Sequence, residues 1–227
     1  NEYSCYRLSQ ALGLTTAQAE VITREQADLP AHVPFNEILA VQRFDHLADG
    51  TRVHMEEFNQ ALGYAPRHKY GKGLQHDWPT MLRVLDRLSP QPVADTREFL
   101  ARTIAAILMG NTDAHLKNWA LLYPDGRLPR LAPVYDCVCV AAFFPGSPPQ
   151  QYAVNKAIDH TMRALNWADV EGLVKSAGLL RAPRHVALLK DVVRRAQAEW
   201  PALLRDAPLA MRETVLARLA GGVALAG

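Results

Sequence analysis

No stretch of this chain constrains its fold more than Gly110-Asn111-Thr112-Asp113-Ala114-His115-Leu116-Lys117-Asn118. It comes directly after a helical pattern in which Phe99, Leu100, Ile104, Ile107 and Leu108 share one broad face, as a helix buried in a core requires. Extending that helix through a carboxylate, an imidazole, an ammonium and two amides would bury unpaired polar groups, each at a cost of about 2–7 kcal/mol. The chain must therefore leave the core at Gly110, and it leaves carrying a dense polar set.

The next segment reads as a hairpin. Trp119–Tyr123 has the composition of a strand, and Tyr123-Pro124-Asp125-Gly126 fits a turn with proline second and glycine fourth. Leu128–Leu131 is the expected returning strand, leading into Ala132-Pro133-Val134-Tyr135-Asp136. A hairpin folds its ends together, which is expected to bring Asp136 back beside Asp113 and Asn118. Two carboxylates and a carboxamide make a hard-oxygen site suited to Mg²⁺.

Four residues separate Asp113 from Asn118, the D-x-x-x-x-N spacing of protein-kinase catalytic loops. There the Asp accepts the proton of the attacking hydroxyl, the Asn holds a metal, and a later Asp holds metal that bridges the phosphates. Lys117 stands where a cation stabilises charge on a transferred phosphoryl group. Taken singly, Asp113 reads as a turn-closing residue and Asn118 as a partner for loop backbone. Together with Lys117, the hairpin and Asp136, they read as a phosphoryl-transfer site. His115 reads as a loop or nucleotide-side residue, because its Asp-x-His spacing has no second histidine cluster to complete a metal site. Trp119 and Tyr135 read as core aromatics.

The rest of the chain is mostly helical. Tyr3–Leu12 is an amphipathic stretch stopped by Gly13, and Ala19–Arg24 and Ile38–Phe44 have the length and branching of strands. A tight turn is expected at Asp49-Gly50. Helices are expected over Met55–Leu62 and Trp78–Leu88, with Arg67–Gly73 a mobile surface loop between them. Asp95 is expected to cap the buried helix, with Glu98 completing a capping box. The chain is helical again from residue 161 to 220, over Trp167–Ala177, His185–Leu204 and Met211–Leu219. Arg181, Arg184, Arg194, Arg195, Arg205, Arg212 and Arg218 stud these segments and read as solvated faces. The class is α+β, with a strand-containing part over residues 1–54 and a helical part over 55–227.

Composition narrows the function classes. With 25 basic and 23 acidic residues, the net charge of +2 is too near neutral for a general nucleic-acid or anionic-membrane binder. Three cysteines build no disulfide framework; Cys137 and Cys139 read as buried thiols, and a reducing, cytoplasmic setting is expected. The apolar runs Ile104–Met109 and Cys137–Phe144 fall short of the ~20 residues of a membrane helix. The opening Asn1-Glu2-Tyr3 has neither an initiator methionine nor a signal-peptide pattern, so a piece of a longer polypeptide is expected.

Two of these strings, Gly110–Asn118 and Leu131-Ala132-Pro133-Val134-Tyr135-Asp136, resemble the signature of HipA-type toxin kinases. Val41-Gln42-Arg43-Phe44-Asp45 resembles the family's hinge strand, and His54-Met55-Glu56-Glu57-Phe58 with Lys69-Tyr70 resembles the segment after it. The resemblance implies a kinase-like large lobe and a serine/threonine kinase of bacterial toxin–antitoxin systems that uses ATP and Mg²⁺. It further implies a protein substrate such as an aminoacyl-tRNA synthetase, and a DNA-binding antitoxin through which alone the toxin meets DNA. By position, Asp113 would be the base, Lys117 a phosphate contact, and Asn118 and Asp136 the metal ligands. Gln42 and Phe44 would meet the adenine through the strand backbone, although the family commonly has an acidic residue at Gln42.

A kinase also needs a phosphate-covering loop and a strand lysine. No glycine-rich loop precedes residue 41, and no lysine precedes Lys69. Either the chain is a fragment of a longer kinase, or a separate small subunit supplies those parts. Two other readings stand beside the kinase. One is a catalytically idle kinase-like module that docks an antitoxin or partner subunit. The other is a metal-dependent phosphohydrolase built on Asp113, His115 and Asp136.

Overall fold

A computed structural model describes residues 1–71, 77–144 and 165–227. Its centre is α4 (Pro92–Met109), which starts with proline in its first turn, where the missing N–H costs nothing. Every residue of α4 from Phe99 to Met109 is buried, including Arg102 and Thr103, because helices pack around it. Those helices are α3 (Asp77–Leu88), α6 (Ala182–Leu203) and α7 (Leu209–Ala217). α5 (Trp167–Ser176) and α1 (Glu2–Ala11) pack on α6 in turn. The fully buried Trp200 of α6 donates its indole N–H to the Leu8 carbonyl at 2.9 Å. That bond satisfies a carbonyl near the C-terminal end of α1, and Arg195 does the same for Ala11 and Leu12.

Two small sheets flank the helices. β1 (Ala19–Thr23) pairs antiparallel with β2 (Glu37–Val41), Val21 opposite Leu39. β3 (His54–Glu57), β4 (Ala120–Tyr123) and β5 (Arg130–Leu131) form the second sheet in the order β3-β4-β5. The β4–β5 hairpin is the one the turn residues predict, Gly126 taking a φ of 74°. The Asp49-Gly50 turn is present too, its Gly50 amide donating to the Leu47 carbonyl at 3.0 Å. Mostly helices with a minority of strands, the fold is α+β as expected.

Several local expectations are corrected. Residues 55–57 are strand rather than helix, because their backbone pairs with β4, Met55 opposite Leu122; α2 is only Phe58–Ala61. The β2 strand ends at Val41, three residues before Phe44. The returning strand is shorter than Leu128–Leu131, since Asp125 Oδ1 accepts from the Arg127 and Leu128 amides and keeps them in the turn. Asp95 does not cap α4 and Glu98 completes no box. Asp95 sits inside the first turn, where it takes hydrogen bonds from Arg130, Ser89 and the Leu131 amide. Glu98 pairs with Arg102 at 2.6 Å. Arg218 is no solvated residue: only 4% exposed, its guanidinium donates twice to the Ile107 carbonyl. Of the loop expected over Arg67–Gly73, the last two residues lie outside the described residues, as do 161–164.

Candidate functional site

The site begins where α4 stops. Gly110 takes a left-handed φ of 73°, and the amides of Gly110 and Asn111 fold back onto the carbonyls of Ile107 and Ala106. Arg218 donates to that same Ile107 carbonyl, so the end of α4 is held by both backbone and side chain. The space is tight, since a Cβ on Gly110 would lie 2.9 Å from Ala141 Cβ. The chain therefore leaves α4 in one direction, into the polar loop.

Within that loop the hydrogen bonds are local and dense. Asn118 Nδ2 donates to the Asp113 carbonyl at 3.0 Å, and the His115 amide donates to the same oxygen at 2.7 Å. The Asn118 amide donates to the His115 carbonyl at 2.8 Å, and Trp119 Nε1 to the Ala114 carbonyl at 3.3 Å. These bonds close residues 113–119 into a compact arch. With its Nδ2 engaged, the Asn118 side chain presents its oxygen as the free donor atom, the one a hard cation takes.

The hairpin returns as the sequence predicts. Ala132 donates to the Ala120 carbonyl at 2.9 Å. Val134 then pairs with residues 15–17, accepting from the Ala17 amide at 2.9 Å and donating to the Thr15 carbonyl at 2.8 Å. Tyr135 comes next, half-buried, its phenol donating to the Lys117 carbonyl at 2.6 Å. Burial pushes that phenol far up, and the charges of Glu57 and Asp136 add to the effect. Tyr135 is thus the tie between the two strands of the site, more than a core aromatic.

Beyond it stands Asp136, exposed and at a φ of 49°. A non-glycine residue in the left-handed region is uncommon and clusters at functional sites. Asn118 and Asp136 line one cavity of about 40 Å³, together with Asn111, Tyr135 and Arg102. Asp113 lies outside that lining, joined to Asn118 through its own carbonyl. Both carboxylates act on His115, which is 7% exposed with an Nδ1 that has no hydrogen-bond partner among the described residues. Burial pushes the His115 imidazole down, outweighing the upward pull of Asp113 and Asp136, so the ring is neutral near pH 7.

Of the seven residues singled out from the sequence, Asn118 and Asp136 share the cavity, Asp113 is joined to Asn118, and His115 feels both carboxylates. Lys117, 40% exposed, sits 4.0 Å from Glu57 of β3. Phe44 is carried to the same side, its ring 5.5 Å from that of Tyr135. Gln42 is not brought into this group. It lines a separate open cavity of about 450 Å³ against β1, and its amide is already given to the Gln18 carbonyl at 2.8 Å. Among the described residues, no group of three His, Cys, Asp or Glu side chains is placed to hold a metal.

Sequence reasoning missed Tyr70 as a site residue. Its phenol reaches Asp113 Oδ1 at 3.3 Å, and its ring meets the His115 ring edge-on at 5.5 Å. The Leu116 amide donates to the neighbouring Lys69 carbonyl at 3.0 Å, which lays this segment on the polar arch. Only the Lys69-Tyr70 pair, quoted for the resemblance, pointed to it.

Several of the proteins this chain resembles carry kinase names. Over 215 residues the chain is 31% identical to Y4dM of Sinorhizobium fredii, which carries a kinase name, covering 93% of this chain and 50% of that protein. It is 30% identical over 156 residues to the serine/threonine-protein kinase toxin HipA of Shewanella oneidensis, covering 62% of this chain and 34% of that protein. The chain thus spans half or less of the length of these relatives. In structure it superposes over its whole length on 54% of the Shewanella oneidensis HipA chain, solved with HipB and operator DNA, with a TM-score of 0.74 at 22% identity. The Helicobacter pylori proinflammatory kinase CtkA shares the fold, with a TM-score of 0.56 at 15% identity over 97% of this chain and 77% of that one. The HipA-like C-terminal domain family matches residues 1–200. This chain belongs to the HipA-like C-terminal domain family.

Proposed function

We propose that the chain is the larger lobe of a serine/threonine protein kinase of a toxin–antitoxin system, using ATP and Mg²⁺. The observation that carries this reading is the juxtaposition of Asn118 and Asp136 on one cavity, with Asp113 tied to Asn118 by a 3.0 Å hydrogen bond. The donor set suits magnesium: one carboxylate and one amide oxygen, leaving positions for phosphate oxygens and water. Asn118 and Asp136 would hold the ion, which supplies charge neutralisation between the phosphates when bound. Asp113 accepts the proton of the acceptor hydroxyl as that oxygen attacks the γ-phosphorus. Lys117, only loosely paired with Glu57, turns its ammonium to the transferred phosphoryl group. His115 stays neutral and packs beside the base on the nucleotide side. The Phe44 ring, tilted at 45° against Tyr135, would meet the adenine end of the nucleotide, whereas the Gln42 amide is taken by Gln18. The substrate is a bacterial protein, an aminoacyl-tRNA synthetase being the first to test, and the regulating partner is a DNA-binding antitoxin.

Phosphate transfer from γ-³²P-labelled ATP by the full-length protein tests the reading. Asp113→Ala and Asp136→Ala are expected to lower the rate by about 10²-fold or more, as loss of a positioned base or metal ligand does. Retention of transfer in both variants would sink the assignment and leave the idle, partner-docking module.

A further inference from the structure

We propose that Tyr70 is a positioning residue that presents the Asp113 carboxylate to the acceptor hydroxyl; this rests on Asp113 being the base. The backbone of Asp113 is fixed on three sides. Its carbonyl accepts from Asn118 Nδ2 and the His115 amide, and its amide donates to Asn111 Oδ1 at 3.3 Å. The carboxylate itself is not fixed by that backbone, since the terminal torsion of an aspartate is broad and roughly two-fold. Among the described residues, the Tyr70 phenol is the side chain that hydrogen-bonds to it, donating to Oδ1 at 3.3 Å.

Tyr70 is in turn held on several sides. The Lys69 carbonyl accepts from the Leu116 amide at 3.0 Å, joining the segment to the arch a short step along the chain from the base. Gly71, at a φ of 86°, folds back so that its amide reaches the His68 carbonyl at 2.9 Å. The ring lies edge-on to His115 at 5.5 Å, and the Lys69 ammonium stands 4.8 Å from its centroid. The ring is held against His115 and Lys69 while the residue remains 40% exposed. With Oδ1 held by Tyr70, Oδ2 is the oxygen turned to the acceptor. The proton passes to Oδ2 as the hydroxyl oxygen bonds to the γ-phosphorus, and ADP departs with the electron pair of the broken phosphoanhydride bond.

This role separates from ring packing by one atom. Tyr70→Phe keeps the ring on His115 and under Lys69 and removes only the hydroxyl. Initial rates of transfer from γ-³²P-labelled ATP, to the full-length protein itself and to casein, are measured against Mg-ATP concentration. Tyr70→Phe is expected to lower kcat about 3–10-fold while KM for Mg-ATP stays within twofold and the melting temperature is unchanged. Tyr70→Ala should show the same kcat loss together with a lower melting temperature. An active wild type with a Tyr70→Phe kcat within twofold of it overturns this proposal and leaves the kinase reading standing. A Tyr70→Phe loss confined to KM overturns it as well, because the residue then serves binding. A wild-type protein that transfers no phosphate to either acceptor overturns the kinase reading, and this proposal with it.

Discussion

Replacing Arg102 with leucine should destabilise the protein and unseat the segment leading to Asp136. Arg102 has a side chain only 7% exposed, and its Nε and Nη2 both donate to Glu98 Oε1, at 3.1 and 2.6 Å. Nη2 also reaches the Thr15 carbonyl at 3.3 Å, and Nη1 reaches the Ala132 carbonyl. Thr15 and Ala132 flank the bridge between Thr16 and Val134, so one guanidinium clamps both strands that deliver Asp136. Removing one partner of a buried ion pair costs about 3–5 kcal/mol. Here the lower half of that range applies, because Glu98 is 23% exposed and keeps the Thr15 amide at 2.7 Å. About 3–4 kcal/mol corresponds to a fall of roughly 6–16 °C in melting temperature for a domain of this size. Thermal unfolding followed by circular dichroism on wild type, Arg102→Leu, Glu98→Leu and the double variant measures both the loss and the coupling. A fall below about 3 °C, well under the range that the same scaling gives, or additive single losses, would refute the clamp.

Two further outcomes rest on the geometry. Gly110→Ala combines a left-handed φ of 73° with a Cβ 2.9 Å from Ala141, and about 2–4 kcal/mol of lost stability is expected from the urea midpoint. Gly126→Ala, at a φ of 74° with nothing within 4 Å, should lose only about 1–2 kcal/mol, isolating the contact from the backbone conformation. For Asp95, burial pushes the carboxyl up, but Arg130, Ser89 and the Leu131 amide outweigh it and hold the group below its ordinary value. A depressed carboxyl stabilises the fold above its unfolded pKa of about 3.9, and that stability is lost as pH falls through the folded value. Melting temperature should therefore drop below about pH 4. Asp95→Asn should shrink that drop without abolishing it, since Asp45, Asp49 and Asp125 are also held low.

The range of each interaction decides how much of the fold and the site is legible in the sequence. Gly110 as a stop, the proline-glycine turn before β5 and the return of Asp136 all depend on residues within one hairpin of each other. Met55–Glu57 reads wrongly as helix because a short segment takes its state from its neighbour, and β4 was free to pair with it. Asp95 reads wrongly as a cap because a carboxylate in a first turn serves equally as an ion-pair partner, and Arg130 lies 35 residues away. Arg218 poses the sharper case. An α-helix leaves its last four carbonyls without intrahelical donors, and the C-terminal half of α4 is buried throughout. The Gly110 and Asn111 amides reach back to only two of those carbonyls, Ile107 and Ala106. A buried carbonyl has two lone pairs and can take a second donor, and the Ile107 carbonyl, already bonded to the Gly110 amide, takes one from elsewhere in the chain. The arginine-rich C-terminal helices are the place to look for it, and helical spacing by itself argues the wrong way. Spacing reports which face a residue occupies, whereas the second lone pair of a buried carbonyl can draw an arginine off the solvent face.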